Sequence, residues 1–530
     1  MAVVVGALAL LVRVPNLGQF SMWLDEVLET LMVRGSFAAS LAALARDAVH
    51  PPLEGVLSWV LVHAGATETL RRFASVGFGI GTVLVLCRWV GGRFGAPEAW
   101  VAGVLAALSP VHVHYSQELR PYSMGLFFLV LALWRFDVLL AKPTYRNASL
   151  LWLVCLGCLY SLYLSAGILL VLAGAAILAS LARDPARRLV GRRLVAGLPG
   201  FTAALMAAYS PWIVAVWCLA NQKIAAGPSS WSLRFWGARW QFLTVAGKEG
   251  EALRIGAELW LVLCLVGAVL AVSRPAARLV VAGALVGTLG MEIGLVVAGH
   301  WSNGRYDLTG WPFLITLAAL GITAPAAGLA PRPPQRRVPR HRLAVSILLT
   351  VVAAAAEVQG LARYYRSGRP HWDRVAEFVQ SRRRDYAAVF ASNEWTRACL
   401  DYYLDERWPR GLAEERIEPV SLNGSPARLR EAARKGTASL VVVGGYPRSR
   451  ALQAELRKHP RIARFGSTGV RVFAVLPASQ QAPLSRGYGR PSARPRPARA
   501  GRPGAAPRWP GSRAARPASG GGTPTRRRGA

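Results

Sequence analysis

From residue 1 to about 359 the chain alternates apolar runs with short polar connectors. Each run holds about 15 to 22 residues, the length that lets a helix cross a hydrocarbon core. On this pattern there are about eleven spans, among them Phe73–Val90, Ala99–Val111, Ala148–Leu162, Ser165–Leu181, Leu194–Leu219 and Leu343–Val358. The connectors alternate too. If the first span ends outside near Val14, those at Arg88/Arg93, Lys142/Arg146, Arg183–Arg193, Arg274/Arg278 and Arg332–Arg342 all lie inside, and all are basic. The intervening connectors carry the acids and histidines. Lysine and arginine are retained on the cytoplasmic side of a membrane protein, so one orientation satisfies five successive connectors. That orientation gathers Asp25, Glu26, His50, Glu118, Arg120, Arg305 and Tyr306 on one outer face.

The first outer connector, Asp25 to Arg72, has structure of its own. Phe37, Leu41, Leu44 and Ala45 share a helical face behind a candidate N-cap, Ser36, which predicts a helix lying on the membrane. Leu53–Ala64 is apolar but too short to span, and reads as an interfacial or re-entrant helix. Past residue 359 the period changes. Helix-like stretches at His371–Arg382, Glu394–Leu404, Ala427–Lys435 and Arg450–Lys458 alternate with short strands at Ala387–Ala391, Leu440–Val443 and Val470–Leu476. The expected organisation is a membrane bundle over 1–359, a small α/β domain over 360–477 outside the membrane, and a tail over 478–530. That tail is rich in Arg, Pro, Gly and Ala, which cannot build a core, and is expected to be disordered.

Composition agrees with the pattern. The 530 residues are 53% hydrophobic with a mean hydropathy of +0.30, too apolar for a water-soluble enzyme. The net charge of +35 is not a nucleic-acid signature, because twelve arginines lie in the acid-free stretch 481–530 and many others orient the helices. Cys155 and Cys158 have redox spacing but fall within an apolar run, where small core residues are the expectation. No cleavable leader is expected, since a basic n-region and an A-x-A site are lacking. Gly444-Gly445-Tyr446 follows a strand without a GxGxxG pattern, so a nucleotide fold has no support.

The candidate chemistry centres on Trp23-Leu24-Asp25-Glu26. Carboxylates at a membrane boundary are costly to desolvate and mark a functional site by default. The alternative is that Asp25 and Glu26 only cap an interfacial helix beginning near Trp23. His50 with His112, His114 and His300 leaves a bound divalent metal open, though none has a compact ligand spacing such as HExxH.

The order of motifs is similar to the opening of integral-membrane GT-C glycosyltransferases. Arg13-x-x-Asn16-Leu17-Gly18, Trp23-x-Asp25-Glu26, His50-Pro51-Pro52, Arg72-Phe73-x-Ser75 and Tyr115-Ser116-Gln117-Glu118-x-Arg120-Pro121-Tyr122 carry the resemblance, and Arg305-Tyr306 with Pro312 extends it. The protein O-mannosyltransferase, aminoarabinose transferase and lipid A galacturonosyltransferase group is the nearest. The resemblance implies a GT-C membrane bundle and transfer of a sugar from a polyprenyl-phosphate donor to a lipid, glycan or protein hydroxyl at the outer face of the cytoplasmic membrane. It implies Asp25 as the base that activates the acceptor, with Glu26 orienting it or holding sugar hydroxyls. It also implies a substrate-binding set of His50, Glu118, Arg120, Tyr122, Arg305 and Tyr306, the two arginines taking the donor phosphate. A transporter or lipid-linked sugar flippase is the main rival, but such proteins keep their polar residues near the bilayer midplane, often on repeated halves. A lid at 219–255 is a further expectation.

Overall fold

A computed structural model describes residues 1–220, 233–246, 254–273, 277–290, 292–294, 304–327, 339–367, 371–407, 418–444, 449–465 and 470–476. The tail over 478–530, most of the expected lid at 219–255, His300 and Gly445-Tyr446 lie outside them.

The bundle opens with α1 (Ala2–Arg13), then three helices of the first connector: α2 (Leu24–Met32), α3 (Phe37–Asp47) and α4 (Leu53–His63). The Ser36 hydroxyl accepts from the Ala39 amide and starts α3 as its sequence predicts. The long helix α5 (Glu68–Arg93) is capped by Thr67 in the same way. After it come α6 (Ala96–Leu108), α7 (Pro110–Ser116), α8 (Pro121–Ala141), α9 (Tyr145–Ser161), α10 (Ala166–Ser180) and α11 (Pro185–Leu219). Further on lie α12 (Leu233–Gln241), α13 (Arg254–Ser273), α14 (Arg278–Leu285), α15 (Trp311–Ala327) and α16 (Arg340–Ser367), with a 3-10 stretch at Gly304–Gly310 leading into α15.

Among the described residues seven helices are long and apolar enough to cross a membrane, against about eleven expected from the pattern. Part of the difference has a local cause among the described residues. The run Ala99–Val111 is broken between α6 and α7, because Pro110 has no N–H to give the Ala106 carbonyl. The buried Arg13 guanidinium repairs that break, donating to the carbonyls of Ala106 (3.4 Å) and Ala107 (3.0 Å) and bonding His112 Nδ1 at 2.8 Å. It thereby ties α1 to the α6–α7 junction. α1 and α6 remain short apolar helices, and α4 is short as its eleven residues predict.

The bundle core runs through α5, α6, α8, α13 and α15. α13 and α15 meet backbone to backbone: a Cβ on Gly267 would run into the Leu317 carbonyl oxygen, and one on Gly321 into that of Leu263. Small residues at helix contacts give membrane bundles this close approach.

α16 runs unbroken through residue 360 and delivers the chain to an α/β domain. Its elements are α17 (Trp372–Ser381), β1 (Ala388–Ala391), α18 (Glu394–Arg407), β2 (Val420–Ser421), α19 (Ala427–Arg434), β3 (Ser439–Val443), α20 (Arg450–Leu456), β4 (Arg461–Phe465) and β5 (Val470–Val475). The sheet order is β2-β1-β3-β5-β4, with β1 parallel to β2 and β3, and β5 antiparallel to β3 and β4. β3 reads as a continuous apolar run because both its faces are covered. Leu440 and Val442 pack with Val375, Val379 and Leu400, whereas Val441 and Val443 pack with Leu429, Leu452 and Leu456. The first of these layers also takes in Met22, Val27 and Leu119, so the domain core continues into α2 and the connector before α8.

Candidate active site

Trp23 is extended, and its amide donates to Glu26 Oε2 at 3.1 Å, which starts α2 and fixes where residue 25 points. Glu26 itself is fully buried. Its Oε1 accepts from Arg72 Nε (3.0 Å) and the Leu119 amide (3.0 Å), and its Oε2 from a second Arg72 nitrogen (2.9 Å). Arg72 also donates to the carbonyls of Leu17, Phe20 and Ser21. One bidentate pair thus holds four segments together. Glu26 caps α2, and its oxygens face inward.

Asp25, the residue before it, faces outward. Its side chain is 21% exposed and lines a cavity of about 640 Å³ between the bundle and the α/β domain. Arg305 donates to its Oδ2 at 2.9 Å, and an Arg120 nitrogen lies 3.9 Å from the same oxygen. Both arginines line the same cavity. Each of the three comes from the start of a helix: Asp25 from α2, Arg120 from the extended residue before Pro121 of α8, and Arg305 from the 3-10 turn before α15. Arg120 is further held by Glu29 at 3.0 Å, a carboxylate the sequence reading passed over.

The other expected residues fall around this centre unequally. The Tyr122 and Tyr306 rings lie 5.9 and 5.7 Å from the Arg305 guanidinium carbon. His50 stands edge-on to Tyr122 at 5.6 Å. Burial, with Arg120 and Arg305 adding to it, holds the His50 imidazole well below its usual pKa, so it is neutral. Glu54, on the short helix that follows, is pushed up to about 7 by burial against the pull of Arg120 and Arg71. Glu118 does not line the cavity; it pairs with His114 at 3.1 Å, one turn back on its own segment.

The described histidines are dispersed. His112 stacks on Trp311 and bonds Arg13, while His114 bonds Glu118. Among the described residues no group of three His, Cys, Asp or Glu side chains is arranged to hold a metal ion, and the neighbours of Asp25 are cations. The described residues beside Asp25 fit an anion.

No protein-family model matches the chain, and no curated protein sequence matches it. Solved structures do match. ArnT from Cupriavidus metallidurans in the apo state superposes with a TM-score of 0.55 over 89% of this chain and 97% of its own, at 14% identity. The chain has the fold of ArnT. This is the GT-C membrane bundle that the opening motifs resemble. ArnT bound to undecaprenyl phosphate matches at a TM-score of 0.49 and 12% identity over 90% of this chain and 98% of its own. The archaeal oligosaccharyltransferase AglB from Archaeoglobus fulgidus, in complex with an inhibitory peptide and a dolichol-phosphate, matches at 0.47 and 11% identity over 83% and 69%. As the coverage of ArnT is nearly complete, the shared fold includes both the bundle and the α/β domain.

Proposed function

We propose that the protein is a membrane glycosyltransferase that moves a sugar from a polyprenyl-phosphate donor to a hydroxyl of a lipid, glycan or protein acceptor. One observation carries the reading: a cavity-lining carboxylate, Asp25, stands between two guanidinium groups, Arg305 and Arg120. In the reaction Asp25 takes the proton of the acceptor hydroxyl, whose oxygen attacks the anomeric carbon. The bond from that carbon to the phosphate oxygen breaks, and the lipid phosphate leaves with both electrons. Guanidinium pairs bind phosphate bidentately and stabilise the charge that develops on it. Arrival of that phosphate draws Arg305 away from Asp25 Oδ2 and leaves the carboxylate to act as base. Tyr122 and Tyr306 lie beside Arg305, with neutral His50 against Tyr122, and although none of the three lines the cavity we assign them to the layer that backs the sugar pocket. Glu118, which does not line the cavity, is assigned a place behind Tyr122, through His114 and the Tyr115 ring.

The basic connectors support an orientation with this cavity and the α/β domain on the outer face of the cytoplasmic membrane. The proposed organisation is a catalytic bundle over 1–359, the outer domain over 360–477 and a basic tail over 478–530. The test is Asp25→Asn in membranes supplied with labelled polyprenyl-phosphate sugars and cell-envelope acceptors. A positioned base supplies about 10²–10⁴ in rate, so transfer should fall by that factor at unchanged abundance. Retained transfer would reject Asp25 as the base. Sugar movement into liposomes without covalent transfer would select a transporter.

A further inference from the structure

The far wall of the Asp25 cavity belongs to the α/β domain, and it comes from the C-terminal ends of its parallel strands. Ser392 and Asn393 follow β1, Asn423 follows β2, and Ser449 starts the helix after β3. Open α/β sheets bind ligands at this end of their strands. The bonding of these side chains is lopsided. Asn393 Oδ1 accepts from the Thr396 amide (2.8 Å), Asn423 Oδ1 accepts from the Ser421 hydroxyl (2.8 Å), and Ser449 Oγ accepts from the Leu452 amide (3.2 Å). Each acceptor atom is spent on holding its own loop. The two amide NH2 groups and the Ser449 hydroxyl hydrogen have no partner among the described residues. Beside them Trp395, 54% exposed, lines the same cavity. The described residues of this wall include no lysine or arginine, in contrast to the arginine pair opposite.

We infer that this wall is the acceptor subsite, and that the acceptor is a neutral saccharide. The inference rests on the transferase reading of Asp25. Uncharged donors grouped around an aromatic face match sugar oxygens and the apolar face of a pyranose. Among the described residues of this wall a phosphorylated head group would meet no cation, and an extended peptide pairs with a strand edge rather than with strand ends. At about 640 Å³ the cavity has the size of a small-molecule site, with room for a donor sugar on one side and an acceptor ring on the other.

Two variants test it without disturbing the loops. Asn393→Asp with Asn423→Asp keeps both accepted bonds and deletes the NH2 donors, and Trp395→Leu removes the exposed ring. The full-length protein in detergent is applied to an array of neutral glycans, short Ser/Thr peptides and phosphorylated glycolipids, and is titrated separately with undecaprenyl phosphate. The expected result is wild-type binding to neutral glycans, weakened at least tenfold by either variant, with undecaprenyl phosphate affinity changed less than twofold. Wild-type preference for peptides or phosphorylated glycolipids, or glycan binding that survives both variants, overturns the subsite. Failure of the wild type to bind undecaprenyl phosphate, with glycan binding still lost in the variants, counts against the donor reading and leaves the subsite standing.

Discussion

Asp25 and Glu26 are adjacent and chemically alike, yet α2 turns one toward the cavity and the other into the protein. Their isosteric amides should therefore fail in opposite ways. Asp25→Asn loses transfer and keeps its fold. Glu26→Gln leaves the buried Arg72 guanidinium without its counter-charge, and breaking a buried pair costs about 3–5 kcal/mol. Thermal unfolding in detergent should show a large loss for Glu26→Gln and little change for Asp25→Asn. The pair His50 and Glu54 gives a pH prediction at the same scale. The folded His50 pKa is depressed, so below about pH 6.5 the unfolded chain takes up a proton that the folded state refuses, and stability falls on acidification. Glu54 works the other way. Its folded pKa is raised to about 7, so its contribution is fully present below about pH 4.5 and is lost as the pH rises through 7. Between pH 4.5 and 6.5 the two oppose each other, each with a slope of at most about 1.4 kcal/mol per unit. His50→Gln should make the protein gain stability from pH 7 to 5, and Glu54→Gln should make it lose stability over that range, as melting temperatures in buffered detergent would register.

At the scale of elements, what was legible depended on whether a local signal sufficed. Ser36 announced α3, and the strands β1, β3 and β5 appeared within a residue of their observed ends because their apolar runs are short and bounded. β2 has two residues, too few for a pattern, and the edge strand β4 carries Arg461 and Arg464 with no face fully buried, so neither was visible. The site was half legible for the same reason. The motifs named Asp25, Arg120 and Arg305, but the wall containing Asn393, Asn423 and Ser449 exists only because a sheet brings loops from distant parts of the chain together. The Gly267–Gly321 contact was also hidden, since a glycine in an apolar run gives no sign of its partner. It supplies a test of the bundle: Gly321→Val puts a side chain against the Leu263 carbonyl. Overpacking should cost about 1–3 kcal/mol, and Gly294→Val, whose added Cβ meets nothing within 4 Å among the described residues, should cost far less in the same unfolding assay.

For the molecule as a whole, the cavity exists only while the α/β domain stays docked on the first connector and the start of α5. Two kinds of contact hold it there. Tyr403 Oη accepts from the Met22 amide at 2.5 Å and lies 3.2 Å from Glu68 Oε2, while Ser21 donates to Asp373 at 2.6 Å. These groups are largely buried. Arg34 and Glu406 also pair, at 2.6 Å, but both are well exposed, and exposed pairs contribute about 0–1 kcal/mol. Docking should therefore depend on the tyrosine and not on the surface charges. Tyr403→Phe leaves the buried Met22 N–H without an acceptor, which costs about 1–3 kcal/mol and shifts the docking equilibrium by about 5- to 150-fold. Limited proteolysis of the domain in detergent reads that equilibrium when opening is fast compared with cleavage. Tyr403→Phe should be cut faster by a factor in that range, and Arg34→Ala at nearly the wild-type rate. The reverse ranking would mean that long-range charge, rather than the buried hydrogen-bonded contact at Met22, keeps the cavity closed.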